Sequence, residues 1–555
     1  MRCEVLQLKY LSILQLLNFF EISEEHGLNS LQRMKVSNVK SYIFAALITG
    51  GQFFAAFAAD NGPLATTTSG IIRGYINSGV CAFRGIPYGD NTATRRFLPP
   101  LPPKPWNHVR DALAFGNIAP QFNGRRAGLG ESENCLNLNV YTPGLRDGRK
   151  RPVMVWIHGG AYSNGTSNEN LVDGVRLCKR GDVVVVGVNH RLNVFGYLYL
   201  AEIGGKEYSE SGNVGMLDLI LALQWVRNNI AEFGGDPDNI TIFGQSGGGA
   251  KCATLSAMPA ARGLFHRIIT ESGQQVTGRT KKHATETAYQ VLKNLQLTPN
   301  QLHELDTISM VRLIDASRGM YFGPVTEGTI LPRDPFDPDA SPLSKSIPMM
   351  MGNTHDETAG LIGGNDTTTY DLTWDDVPSK LTQHIKQFMG DLKPEDIIAQ
   401  YRQWYPHYSP SDVFFAITTA ARSWRSLIME SERRAEQGGA PTYVFQLDWK
   451  SPVQGGRLRA AHTMEIPFVF DNIAEAVELI GAGTEQQTMA DIMSEVWIAF
   501  ARTGNPNNAK IPLWTPFNLK DRPTMIFDLT PRLEYDPRGQ ERKFFEPIKY
   551  IQPGT

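Results

Sequence analysis

The stretch Ile240-Thr241-Ile242-Phe243-Gly244-Gln245-Ser246-Gly247-Gly248 decides how this chain is read. A short run rich in β-branched residues meets a Gly-x-Ser-x-Gly turn, and helix-compatible residues follow. That layout is a nucleophile elbow, in which a sharp strand-to-helix turn lifts a serine hydroxyl above the end of a sheet. The turn leaves no room for bulky neighbours, so small residues must flank the serine. Ser246 is therefore the candidate nucleophile, and the remaining sequence has to supply its partners.

Working outward, Val153-Met154-Val155-Trp156-Ile157 and Val183-Val184-Val185-Val186-Gly187-Val188 are continuous apolar runs, the pattern of central parallel strands buried on both faces. Leu136 to Tyr141 alternates as a half-buried strand. Gly70 to Gly74 and Val80 to Gly85 read as an antiparallel edge. Leu217 to Ile230 carries apolar residues at helical spacing, and Lys251 to Met258 continues the helix after the elbow. Strands are expected again at Arg267–Thr270, Pro348–Gly352 and Thr442–Leu447. Strands alternating with helices predict an α/β fold with a large, mostly parallel sheet and helices on both faces. The helix-rich stretch from about 280 to 440 is expected to cap the sheet's carboxyl edge.

Ser246 needs a base to take its proton and a carboxylate to orient that base. In a sheet entered this way the acid follows a later strand and the histidine comes after it. Asp356 and Glu357 follow the strand around Met349–Gly352, and topology does not separate them. His355 is too near the candidate acid to be the base, whereas His462 lies in a loop after Thr442–Leu447. An oxyanion hole needs backbone N–H donors. The turn His158-Gly159-Gly160-Ala161 after Ile157 offers those of Gly159 and Gly160, and Gly247 follows the nucleophile.

Composition limits the other possibilities. The 555 residues are 41% hydrophobic with a net charge of −2, which argues for a large core and against a nucleic-acid footprint. No Cys-x-x-Cys or clustered Cys/His spacing suggests a metal, and no cofactor is expected. From Met34 a basic segment through Lys40, the uncharged run Tyr42–Phe57 and Ala56-Phe57-Ala58 read as a signal peptide with a cleavage site. The two glycines and small-residue ending favour cleavage over a membrane anchor. Residues 1–59 are thus an extension plus signal, 60–555 a single catalytic domain, and the product secreted or periplasmic, without a stable membrane span. Asn164, Asn239 and Asn365 begin sequons. Cys178 and Cys252 read as buried small hydrophobes.

The motifs together resemble the type-B carboxylesterase/lipase family, the cholinesterase-like α/β hydrolases, and within it the bacterial para-nitrobenzyl-esterase-like branch. The resemblance runs from about residue 62 to the end. It is carried by Phe83-Arg84-Gly85-Ile86-Pro87-Tyr88, Ser132 to Val140, the His158 turn, Asn189 to Gly196, Gly212-Asn213-Val214-Gly215, Phe233-Gly234-Gly235-Asp236-Pro237, the elbow, and His462 to Phe470. It implies an α/β-hydrolase fold, a triad of Ser246, Glu357 and His462, and oxyanion donors at Gly159, Gly160 and Gly247. His158 becomes a turn residue, and Asp356 a neighbour without a direct catalytic role. The chain departs from the family in having Gln245 and Gly247 where Glu and Ala are usual. The resemblance also implies a disulfide from Cys135, but its partner would fall near Ala119, so that bridge is not expected. Pairing of Cys135 with Cys81 stays open. Gln121–Gly130 lacks the tryptophan that binds choline, which argues against choline esters.

These readings imply a carboxylic ester hydrolase working through an acyl-serine on a small or medium organic ester. A non-catalytic adhesion-type relative and a lipase are the alternatives. Tyr321, Phe322, Trp404, Tyr405, Phe414, Phe415 and Trp424 are candidate gorge aromatics, although most of them fit a core equally well. Arginines facing the pocket could select a polyanionic acyl group, but the sequence nominates none of them. Neither the natural ester nor the oligomeric state is legible.

Overall fold

The computed structural model describes residues 62–122 and 130–552. The signal-type segment and the domain boundary near residue 59 lie outside the described residues, as do residues 123–129 of the loop without tryptophan. Pro63–Thr555 forms one compact unit by its internal contacts.

Among the described residues the main sheet has eleven strands. In chain order they are β1 (Tyr75–Asn77), β2 (Val80–Pro87), β3 (Asn137–Thr142), β4 (Arg151–Ile157), β5 (Val184–Val188) and β6 (Gly235–Gln245). The others are β7 (Arg267–Glu271), β8 (Met349–Thr354), β9 (Thr442–Leu447), β10 (Pro523–Phe527) and β11 (Arg532–Tyr535). Across the sheet the order is β1-β2-β3-β5-β4-β6-β7-β8-β9-β10-β11. From β5 to β10 all neighbours are parallel, while β1–β3 and β11 add antiparallel edges. This is the mostly parallel sheet expected from the β-branched runs. Of the two early segments, only Val80–Pro87 enters it; Gly70–Arg73 pairs with Leu64–Thr67 and Arg110–Asp111 in a separate small sheet.

Every residue of β4 and β5 is buried, because helices cover both faces. Alternation along the strands divides their side chains between two cores. Val153, Val155, Ile157, Ile240 and Ile242 join one core with Met216 and Leu219 of α1 (Val214–Asn229). Met154, Trp156, Phe243 and Ile269 join the other, with Phe470 and with Val496 and Trp497 of the helix Thr484–Thr503. The elbow leads into α2 (Gly247–Leu255). It stops before Met258, whose backbone is extended ahead of Pro259, as a following proline favours.

The 280–440 region is helical as expected, yet it also contributes β8. Its last two helices, α3 (Pro410–Thr419) and α4 (Arg425–Gln437), are joined by a π-type turn, Ala420–Trp424. Cys81, Cys135, Cys178 and Cys252 are all free thiols, the last three buried. Among the described residues no helix is long and apolar enough to cross a membrane.

Candidate active site

Parallel strands carry successive loops to one end of the sheet, and three of those loops meet there. Ser246 directly follows β6 with φ +56° and ψ −126°, a conformation that costs an L residue roughly 1–3 kcal/mol and needs its surroundings to enforce it. The enforcement is local. Ser246 N–H donates to the Glu271 carbonyl at 2.7 Å, and the Ser246 carbonyl accepts from Ala250 N–H at 3.0 Å. A Cβ on Gly248 would lie 2.0 Å from the Ile157 carbonyl oxygen, and one on Gly247 would lie 2.2 Å from that of Ala161. The second contact gives a physical reason for glycine at 247, where the resembling family carries alanine.

Glu357 follows β8 and is 1% exposed. One carboxylate oxygen accepts from Thr354 N–H at 2.8 Å, while Oε2 accepts from His462 Nδ1 in a short hydrogen bond. Asp356 faces elsewhere. It lies 3.1 Å from His355 and accepts from Ala460 N–H at 3.3 Å. Burial works against its charge, but His355 and Lys450 outweigh burial and hold this carboxyl at about 2. Glu357 thus contacts the histidine, whereas Asp356 ties down the loop that carries it.

Ser246 and His462 line one cavity of about 60 Å³, together with Ala161 and Gly247. A larger cleft of about 300 Å³ between Arg425 and Arg542 contains no member of this cluster. A Cβ on Gly159 would lie 2.8 Å from the Gln245 carbonyl oxygen and 3.4 Å from the Ser246 Cβ, so glycine lets the turn sit close against the elbow. Among the described residues, the N–H groups of Gly159, Gly160, Ala161 and Gly247 donate to no acceptor. Ala161 is the residue of this turn on the cavity wall, and reasoning from glycines alone passed over it. The turn is braced by Lys251 of α2, whose Nζ donates to the carbonyls of His158 at 3.1 Å and Ala161 at 2.7 Å. Burial pulls that ammonium down to about 7. His158 stacks on His190, with ring centres 4.8 Å apart, in keeping with a turn role.

Further polar groups gather behind His462. The Gln245 amide nitrogen lies 3.2 Å from Nε2 and 3.4 Å from Nδ1. On the adjacent strand Glu271 is in register with Gln245 and accepts from Trp497 Nε1 at 2.7 Å. Glu465 accepts from Ser272 Oγ at 3.1 Å. Burial, reinforced by the negative charge of Glu357, raises the Glu465 carboxyl to about 7. Glu271 is also raised, by burial and then by Glu465. No sequence motif pointed to these acids, because the strand register and a loop three residues past His462 bring them together.

The raised Glu465 carboxyl has a testable consequence. Ionising at about 7, it places a change of charge beside the triad within the working pH range. In Glu465→Gln that charge never forms, and the part of the kcat/KM–pH profile around pH 7 is expected to flatten. A profile identical to that of the wild type would rule out electrostatic contact between Glu465 and the catalytic groups.

The gorge aromatics expected from the sequence do not line this cavity. Phe322, Phe414, Phe415 and Trp424 are core residues, and Trp404 packs against Tyr401 and Phe544. Tyr405 lines an exterior groove with Trp374 and Tyr408, and Tyr321 packs under Arg279. The aromatic on the cavity wall is Tyr162.

Comparison with known proteins agrees with this architecture. Residues 61–545 match the Carboxylesterase family. The chain is 34% identical over 515 residues to the para-nitrobenzyl esterase of Bacillus subtilis, covering 88% of this chain and 99% of that protein. It is 30% identical to the phenmedipham hydrolase of Pseudarthrobacter oxydans, over 84% of this chain and 94% of that one. Among solved structures, a Geobacillus stearothermophilus carboxylesterase superposes with a TM-score of 0.77 at 34% identity, covering 87% of this chain and 99% of that one. With its α/β-hydrolase fold, the chain belongs to the carboxylesterase family, whose members are carboxylic ester hydrolases.

Proposed function

We propose that this enzyme hydrolyses small or medium organic esters through an acyl-serine intermediate formed on Ser246. The observation that carries the proposal is the bond from His462 Nδ1 to Glu357, with His462 and Ser246 on one cavity. Glu357 selects the tautomer with its proton on Nδ1, so that Nε2 is the nitrogen that accepts a proton, and it stabilises the imidazolium that results. Ser246 Oγ attacks the ester carbonyl as His462 takes its proton. His462 then returns that proton to the leaving alkoxide. Water, deprotonated by the same histidine, releases the acid and restores the serine.

The negative oxygen of each tetrahedral intermediate needs donors placed where its charge develops. The unpaired N–H groups of the 159–161 turn and of Gly247 supply them, with Ala161 and Gly247 nearest the cavity. Gly159 holds the turn against the elbow. Loss of one such donor costs about 10² to 10³ in kcat.

A panel of p-nitrophenyl esters from acetate to dodecanoate tests the reading, with the wild type compared against Ser246→Ala. Turnover is expected to depend on the serine and to peak at short acyl chains, since the cavity is small. No turnover of any ester, together with no labelling of Ser246 by an organophosphate, would overturn it and favour a binding protein. A peak at long chains with activation at an oil–water interface would favour a lipase.

A further inference from the structure

The cavity beside Ser246 has an unusual wall for a pocket that takes a neutral acyl chain. Beyond the catalytic groups it is lined by Arg422, Ser423, Ser426 and Gln274, with Leu361 and Tyr162 as the larger apolar surfaces. Arg422 sits in the π-type turn between α3 and α4, and such local widenings of a helix recur at functional sites.

What separates the partly buried Arg422 from the buried arginines is that its guanidinium has neither a counterion nor a set of carbonyls; Arg434 also lacks a carboxylate, but the carbonyls of Ser344, Ile347 and Ala440 accept from it. Arg191 pairs with Asp218 at 2.6 Å, and Arg538 with Glu541 at 2.7 Å. Arg96 is held by Glu133 and three carbonyls. Among the described residues Arg422 has no carboxylate within 4.0 Å, and the one hydrogen bond of its guanidinium runs from Nη1 to Ser423 Oγ at 3.3 Å. Its electrostatic neighbours are Glu357, Tyr550 and Tyr321; Glu357 is already committed to His462, and the two phenols carry no charge at neutral pH. A guanidinium has five N–H donors in a fork that matches a carboxylate. The guanidinium nitrogens without a partner keep accessible surface, and Arg422 is among the residues that line the cavity.

Taking the esterase reading above as its basis, we propose that the enzyme's preferred substrates are acidic esters, carrying a free carboxylate close to the scissile ester that pairs with Arg422. A half-ester of a short dicarboxylic acid places that carboxylate on the acyl side. An ester of a hydroxy acid places it on the alcohol side. Either supplies the missing counterion, and a neutral ester of the same size leaves the guanidinium unpaired. A site built around a buried polar partner discriminates strongly against an analogue that lacks it.

The test compares kcat/KM within each protein for isosteric pairs. p-Nitrophenyl hemiglutarate against p-nitrophenyl valerate probes the acyl side, and 4-acetoxybenzoate against 4-methylphenyl acetate probes the alcohol side. In the wild type at least one acidic ester is expected to be favoured more than tenfold. In Arg422→Gln that ratio should fall at least tenfold, with partial recovery in Arg422→Lys. A purely structural role for Arg422 would slow both members of a pair alike and leave the ratio unmoved. Glutarate inhibition of wild-type valerate turnover gives a readout that needs no variant, and it is expected to be competitive and to weaken with salt.

Ratios near or below one in both pairs overturn the proposal, as does a high ratio that Arg422→Gln leaves intact. In those cases serine-dependent turnover of the neutral esters leaves the esterase reading standing. If no ester of either kind is turned over, that reading fails as well.

Discussion

Replacing Ser246 by alanine is expected to lower kcat for a short p-nitrophenyl ester by about 10⁶-fold, the scale seen when a catalytic serine is removed from a comparable triad. The loss should fall on the chemical step and leave the fold intact. Alanine at φ +56° is strained no more than serine, and the bonds that enforce the elbow are made by the Ser246 backbone. The residual rate should still exceed that of water, because the unpaired N–H donors of the turn and of Gly247 remain. Active-site titration should show no burst of p-nitrophenol from the variant. A variant keeping a tenth of wild-type turnover would remove Ser246 from the mechanism.

The second large effect is expected at Glu357. In Glu357→Gln the amide is nearly isosteric, yet it cannot stabilise an imidazolium, and its NH₂ group can press His462 into the wrong tautomer. A loss of about 10⁴-fold in kcat is expected, the scale found when the acid of such a triad becomes an amide. Asp356→Asn is the matched control. That carboxylate serves His355 and the Ala460 N–H, so its loss should lower the melting temperature more than it lowers kcat. Equal damage to kcat from both substitutions would mean that the two acids are not functionally distinct.

These contrasts show where reading the chain alone reached its limit. Asp356 and Glu357 are adjacent acids after a strand, and both satisfy the topology. They separate in space because the chain turns at Thr354, whose N–H binds Glu357 Oε1, so consecutive side chains point to different partners. The family resemblance had pointed to Glu357, and the geometry supplies a physical reason. The aromatic candidates misled because a large buried ring reads the same in a core as in a gorge. Phe414 and Phe415 lie on a helix packed inside, and no local pattern marks which helical face turns toward the cavity.

The strands, the elbow and the His-Gly-Gly turn were legible because their physics is local. A run such as Val184–Val188 is apolar throughout since both of its faces are covered. A nucleophile at positive φ between strand and helix needs small neighbours within two residues. Arg422, Glu465 and Gln245 are different. Gln245 adjoins Ser246 and Glu465 follows His462 by three residues, yet nothing along the chain says that Gln245 faces His462, that the Glu465 carboxyl is buried beside Glu357, or that Arg422 lines the cavity. Their roles arise from strand register, from a turn between two cap helices, and from burial that removes water and leaves each charge dependent on the few groups around it. The apolar runs and the elbow motif were enough to place the sheet, to nominate Ser246 and to set the order in which its candidate partners follow. The tertiary structure alone decided which carboxylate faces the histidine and which cation is left without a partner, because electrostatic energies inside a protein depend on distance and burial, and neither is written along the chain.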